Sequence, residues 1–524
     1  MLVPKAMLLT LGALTVGAAA VGAVMAPGNA SAPGTRPPPT PVVSPPTTAT
    51  APPPTTVVSP TPPGPPNPPA PGPLFVNARA WAGHGDLAFV SRGQLEVVND
   101  SGAVAAVTGP PTGGFDSDPS WSADGVWLAF LHTGPSQGFA VPAATLWLLA
   151  RGSTTARPVG TEPVATYAWS PTATVLAYVT TSQSAATSPS AEPEDIDFDV
   201  PGATPAAVTV GNGSGVQAIA WSFDGTQLAF SDLADAQAAT ATSPATPPQS
   251  RIGVIPAGGG TVDVAYTDHT DCLDLAGWWP EGGGLLFWAD PGCSSSIAAD
   301  GVSLDSLPSG SATPTALATS LVGPQWVAAQ PGGDAVAVVA GGGRSVWSSD
   351  RDVTVCTFPA ATCQVPSAPD GFETLAPAWT SSGSLLFARA STSTPFGTQG
   401  SADWTEGYMA EWNATNTMWG RSRSGAIGQL AGAPAGALLA SPAQAGSAVL
   451  YVADDALWLG DPTSATEAVE VAGPLYSDAA PSGYYGEVDW SGTFAWAQAP
   501  LPQLLSTRLI DESLAATGAG GPTP

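Results

Sequence analysis

Residues 121–130 read WSADGVWLAF, and one hundred residues later 221–230 read WSFDGTQLAF, identical at seven of ten positions. A sentence written twice at that distance is a structural period, and such a period decides the whole architecture. Degraded copies follow once the pattern is known. They are WAGHGDLAF from Trp81, WSPTATVLAY from Trp169, WWPEGGGLLF from Trp278, AQPGGDAVAV from Ala329 and WTSSGSLLF from Trp379. The weakest are ASPAQAGSAVLY from Ala440 and WSGTFAW from Trp490. Start-to-start spacings run from 40 to 61 residues.

Each copy spells a β-hairpin. The residues before the Trp alternate apolar and polar, as in VQAIAW and VATYAW, which a half-buried strand requires. Asp-Gly or Gly-Gly then supplies the positive φ of a tight turn. In the next strand Leu228 and Phe230 point to one face while Ala229 points to the other, where a small side chain admits a neighbouring sheet. The Trp at the strand end covers the seam between sheets, so the tryptophans at repeat positions are read as core. A third strand follows in several copies (TLWLLA around Trp147, RSVWSS around Trp347, ALWLGD around Trp458, QLEVVN near Glu96) and a fourth in some (AVAAVTG, GTVDVAYT). Four short strands cannot bury a core alone, so the units stack in a ring. The fold expected is all-β: a β-propeller of four-stranded antiparallel blades over residues 75–500. Nine hairpins are legible, and merging the one near Trp490 with the unit near Trp81 leaves eight blades. Seven is the alternative, because the copies at Ala329 and Ala440 are weak.

Composition agrees. There are 60 Gly and 57 Pro in 524 residues, which disfavours a helical protein. Thirteen basic residues against 41 acidic give a net charge of −28, so nucleic acid is not an expected partner. The segment MLLTLGALTVGAAAVGAVMA at 7–26 follows Lys5 and carries no charge, which marks 1–30 as an export signal. Cleavage after Ala30 and an uncleaved membrane anchor are both open, since the run is long enough to span a bilayer. Residues 31–74, with 19 prolines from position 33 onward, read as a disordered polyproline-II stalk. Residues 501–524 are a tail; LAATG at 514–518 looks like a sortase signal only by coincidence.

The repeat DPSWSADGVWLAF followed by LWLLARGS resembles the WD40-like repeat of TolB-type β-propellers. It is also similar to the propellers of actinobacterial LpqB-like envelope proteins and of prolyl oligopeptidase relatives. The likeness covers most of 75–500 and implies an exported bacterial propeller. TolB proteins carry an α/β domain where this chain has a proline-rich stalk, so their partners do not transfer. The hydrolase domain of the peptidase relatives lies outside their propeller and is not expected here.

Cys272, Cys293, Cys356 and Cys363 form an even set in an exported chain, and the blade pattern pairs them as Cys272–Cys293 and Cys356–Cys363 across hairpin ends. Catalytic constellations are sparse. His84, His132 and His269 make no H-E-x-x-H, and no hydrolase nucleophile elbow is expected. His269 with Asp268, Asp271 and Asp274 offers a cation site, outweighed by an ordinary loop histidine. The acidic run Glu192, Glu194, Asp195, Asp197 and Asp199 offers oxygen ligands for calcium, but a disordered insert is the favoured reading. The insertion GTQGSADWTEGYMAEWNATNTMWG places Trp404, Tyr408, Trp412 and Trp419 off the repeat, beside Glu406 and Glu411. Exposed aromatics beside carboxylates stack on sugars or anchor a protein; packing against the blade is the slightly favoured alternative. The function expected is a non-catalytic, secreted or envelope-associated binding scaffold for an extracytoplasmic protein or cell-wall glycan, with recognition on the long inter-strand loops and no cofactor or metal. A glycosidase- or lyase-type propeller enzyme acting at the central channel on extracellular carbohydrate is the alternative.

Overall fold

The computed structural model describes residues 73–497, except 112, 136–142, 181–194, 203–205, 210–213, 235–248, 295–296, 298–299, 343–350, 366–370, 393–413 and 476–489. Each repeat sentence becomes the first two strands of a four-stranded antiparallel blade. Blade 2 runs Phe115–Trp121, Trp127–Thr133, Ala144–Ala150 and Arg157–Pro158. Blade 3 runs Val164–Trp169, Leu176–Thr180, Asp195–Asp199 and Ala206–Thr209. Blade 4 runs Ser214–Trp221, Gln227–Ala234, Gln249–Pro256 and Asp263–Asp268, and blade 5 Asp271–Trp278, Gly284–Pro291, Val302–Pro308 and Thr315–Ser320. Blade 6 runs Val327–Ala329, Ala335–Ala340, Asp352–Thr357 and Thr362–Gln364, joined to blade 5 through the pair Ser320↔Ala340. Blade 7 is Phe372–Trp379, Leu385–Ser391, Thr417–Arg421 and Ile427–Gln429. Blade 8 is Leu439–Pro442, Val449–Ala453, Ala456–Gly460 and Val469–Gly473.

Blade 1 is built from both ends of the domain. Its strands Asp86–Ser91, Gln94–Val98 and Val104–Ala106 take their innermost partner from Phe494–Ala497. Reciprocally, Phe75–Val76 adds a fifth strand to blade 8. Eight blades therefore close the ring, and the two weak copies at Ala329 and Ala440 are full blades. First strands lie against one another between blades 1 and 2, 3 and 4, 4 and 5, 6 and 7, and 7 and 8, which puts them nearest the axis.

The side-chain pattern explains the closure. Eight apolar clusters occur, one at each seam. At the seam of blades 3 and 4, Leu228 and Phe230 pack on Ala177 and Val179; at the next seam Ala229 meets Leu273 and Leu285. The Leu and Phe of the repeat face the preceding blade and the Ala faces the following one. Burying one large apolar side chain stabilises by about 1.5–3 kcal/mol, so each seam outweighs any single hydrogen bond in it.

Three expectations are corrected. The position paired with the repeat Leu is Trp121, Trp169, Trp221, Trp278 and Trp379, but in blade 1 it is Trp496, opposite Leu87, and not Trp81 or Trp490. Trp81 instead ends a one-turn helix, Ala78–Trp81, capped by Asn77, and is wholly buried in the seam of blades 8 and 1. The third strand of blade 6 is Asp352–Thr357; Trp347 lies outside the described residues. Asp195–Asp199 is a strand and no disordered insert, because Ile196 and Phe198 alternate with the carboxylates and bury into the seam with blade 4.

Candidate functional site

Antiparallel blades give the ring two faces. On one lie the turns joining strands one to two and three to four, the former five or six residues long in blades 2 to 8. On the other lie the connections from second to third strand, which vary from two residues in blades 1 and 8 to 25 in blade 7. Trp404, Tyr408 and Trp412, with Glu406 and Glu411, belong to that 25-residue connection and lie outside the described residues, as do Glu192 and Glu194.

Trp419 falls within the third strand of blade 7. It pairs opposite Phe387, the place that Trp147 takes opposite Phe130 and Trp458 opposite Tyr451. Its indole is half-buried, donates to Thr417 Oγ1 at 3.0 Å and lies under the Arg389 guanidinium, 4.5 Å from its centroid. That geometry is packing of the blade.

Both disulfides form as expected. Cys272–Cys293 brings Cα atoms to 4.9 Å at the open end of the first hairpin of blade 5. Cys356–Cys363 joins directly paired residues of the outer hairpin of blade 6, with Cα atoms 4.0 Å apart.

The acidic groups do not gather into a metal centre; among the described residues no group of three or more His, Cys, Asp or Glu is placed to hold an ion. Asp268 spends its carboxylate on the backbone N–H groups of Thr270 and Asp271, at 2.7 and 2.9 Å, while His269 is exposed. Asp195, Asp197 and Asp199 share one strand face; burial, with repulsion from Asp195, holds the Asp197 carboxyl above its ordinary range. Asp274 and Asp290 share a face of blade 5 turned toward blade 6, and burial raises both to about 6, with the Asp274 charge adding to the rise at Asp290.

Two features escaped sequence reasoning. Asp116 and His132 pair across the first hairpin of blade 2, Oδ1 to Nδ1 at 2.8 Å, both buried. Asp116 Oδ2 also accepts from the Leu95 backbone N–H at 2.9 Å, tying blade 2 to blade 1, and His132 Nε2 has no hydrogen-bond partner among the described residues. The hairpin register was the available signal. Nearby, GPSQG at 134–138 has the G-x-S-x-G spacing, contrary to expectation. It falls in the connection between the second and third strands of blade 2, and residues 136–138 lie outside the described ones.

Two cavities matter. One of about 230 Å³ is walled by the innermost segments of blades 6, 7, 8 and 1, which meet only at the axis. Its lining includes Pro324, Val327, Pro377, Leu439 and Phe494, and no lining residue is ionisable. The second, of about 480 Å³, opens between blades 6 and 7 on the turn face. Gln330 and Asp334 come from the first turn of blade 6 and Gln364 from its outer strand; Trp379, Arg421 and Arg423 come from blade 7. Trp379 is held across the seam by its Nε1 donating to Ala328 O at 3.0 Å.

The fold is thus an eight-bladed β-propeller with a polar pocket at one seam. No protein-family model matches the chain, and no curated protein matches its sequence. Solved structures do resemble it. Dipeptidyl peptidase 4 of Porphyromonas gingivalis aligns over 76% of this chain and 59% of its own at 10% identity, TM-score 0.48. A puromycin-hydrolysing peptidase of Mycobacterium tuberculosis aligns over 70% and 55% at 14% identity, TM-score 0.43. TolB of Acinetobacter baumannii aligns over 56% and 66% at 13% identity, TM-score 0.32. The chain spans between half and two thirds of the length of these three.

Proposed function

We propose that this chain is a non-catalytic binding scaffold working outside the cytoplasm, an eight-bladed propeller that holds a cell-wall or envelope partner. The observation that carries the reading is the axial cavity. A glycosidase or lyase at the channel needs convergent carboxylates or bases, and the walls contributed by blades 6, 7, 8 and 1 are apolar apart from the Gln325 amide and the Ser441 hydroxyl. Both disulfides support an oxidising compartment. On this reading residues 1–30 direct export of the chain.

The test is retention of isolated cell wall and envelope extract by the full chain. Saturable binding without release of soluble fragments is expected; fragments accumulating with time, or no retention from either source, overturns the proposal. A second reading, an esterase- or peptidase-type enzyme, draws on the Asp116–His132 pair and its unpartnered Nε2. Labelling of the chain by a fluorophosphonate probe, lost in His132→Gln, would favour that reading over the scaffold.

A further inference from the structure

We propose that the pocket between blades 6 and 7 recognises an acidic saccharide, with Arg421 and Arg423 holding its carboxylate; this rests on the scaffold reading above. Basic residues are scarce, 13 in 524, yet two of them stand two positions apart on the rim of one cavity. Among the described residues neither guanidinium reaches a carboxylate at ion-pair distance, whereas Arg151 and Arg251 pair with Asp86 and Asp232. A planar guanidinium binds a carboxylate through two parallel N–H bonds, and two of them around one anion outweigh the single exposed carboxylate of Asp334.

The turn that presents the pair is well fixed. Ser422 N–H donates to Ala426 O at 2.8 Å, Gly425 N–H to Ser422 O at 2.8 Å, and Ala426 N–H to Ser422 Oγ at 3.1 Å. Gly425 takes a φ of 90°, which a side chain would resist. Facing it, the first turn of blade 6 folds the Gln330 amide over Gly333, where a Cβ would lie 2.2 Å from its Oε1. The wall bearing Gln364 is stapled by the neighbouring Cys356–Cys363 bond. The backbone that carries the recognition groups is therefore set before a ligand arrives, which lowers part of the ordering cost of binding.

The rest of the lining selects the ligand class. Gln330, Gln364, Ser381 and Ser382 are neutral donors and acceptors suited to sugar hydroxyls, and Trp379 adds an aromatic surface. A volume of about 480 Å³ is far more than inorganic phosphate fills and falls among ordinary small-molecule sites. The net charge of −28 opposes an anion at long range. At physiological salt that field is screened within about 8 Å, so the two guanidiniums in direct contact dominate.

The experiment is calorimetric titration of the full chain with a glucuronic acid oligosaccharide, a glucose oligosaccharide of equal length, inorganic phosphate and a glutamate-rich peptide. Saturable binding of the glucuronate probe is expected, with at least tenfold weaker binding of the neutral sugar. Arg421→Ala and Arg423→Ala should each weaken it roughly 10- to 100-fold, as loss of a charge-assisted hydrogen bond implies. Arg421→Lys should fall between, keeping charge but losing the bidentate fork. Unchanged melting curves of the variants show that the fold survives. Glucuronate binding that is absent, or unaltered by either Ala variant, overturns the site; tighter binding of phosphate or peptide overturns the saccharide assignment. If the chain retains cell wall yet ignores glucuronate, only the pocket inference fails. Cleavage of the probe would instead defeat the scaffold reading.

Discussion

The indoles of Trp121, Trp169, Trp221, Trp278 and Trp379 each donate Nε1–H to a backbone carbonyl of the preceding blade: Ala495, Ser120, Ala168, Ala220 and Ala328. Each of those carbonyls belongs to the residue just before that blade's own repeat position, so one bond recurs from seam to seam. This makes the repeat Trp an inter-blade clasp as well as an apolar cover. A different residue-scale effect governs pH. The Asp274 carboxyl is raised to about 6 by burial, so the folded chain keeps a proton that the unfolded chain releases near pH 4. Stability from this group is full below pH 4, falls as pH climbs toward 6 and is level above it. The rise corresponds to about 3 kcal/mol at most. Thermal melts from pH 4.5 to 7.5 should show the decline, and Asp274→Asn should reduce it, leaving the share that Asp290 contributes, and raise the melting temperature at pH 7.5. An unchanged slope in that variant would assign the effect elsewhere.

Hairpins were the most legible elements, because turn chemistry and strand alternation are both local. Asp195–Asp199 was misread by weighing its acidity over the Ile196/Phe198 alternation that makes it a strand. Trp490 and Trp496 lie in one short stretch, and only the pairing with Asp86–Ser91, about 400 residues away in the chain, singles out Trp496. The Arg421–Arg423 pocket was illegible for a related reason: its opposite wall comes from another blade, and RSR in a chain with one lysine was the sole hint. The cysteine pairs were legible since each closes a single hairpin. Their separations of 21 and 7 residues imply different stabilities. On the loop-closure account Cys272–Cys293 contributes about 3.4 kcal/mol and Cys356–Cys363 about 2.5 kcal/mol. Replacing both cysteines of a pair by serine should therefore lower the denaturation midpoint more for the first pair than for the second. The reverse order in guanidinium titrations would show that lost packing of Cys356, which is wholly buried, outweighs chain entropy.

At the scale of the ring, stability depends on the last seam as much as on any blade. Phe494–Ala497 supplies the inner strand of blade 1, and Phe494 joins Trp81, Leu87 and Phe89 in the cluster shared with blade 8. Trp496 Nε1 donates to His84 O at 2.6 Å, fastening the C-terminal strand to the N-terminal turn. From the other side, Phe75–Val76 and the Asn77 N–H to Val471 O bond of 2.8 Å hold the first residues to blade 8. The ends thus cross, each completing the blade that the other begins or finishes. A chain stopped after residue 489 would lose Trp490, Phe494 and Trp496 from that cluster and leave the Asp86–Ser91 edge unpaired. Three large aromatic side chains give up about 4.5–9 kcal/mol, and an open strand edge invites association with other chains. Lower stability and concentration-dependent aggregation are the expected outcome. A synthetic peptide of residues 490–497 should restore the melting temperature in a dose-dependent way, since a ligand that binds only the folded state stabilises it by mass action. Failure of the truncated chain to lose stability would mean that the N-terminal latch alone closes the ring.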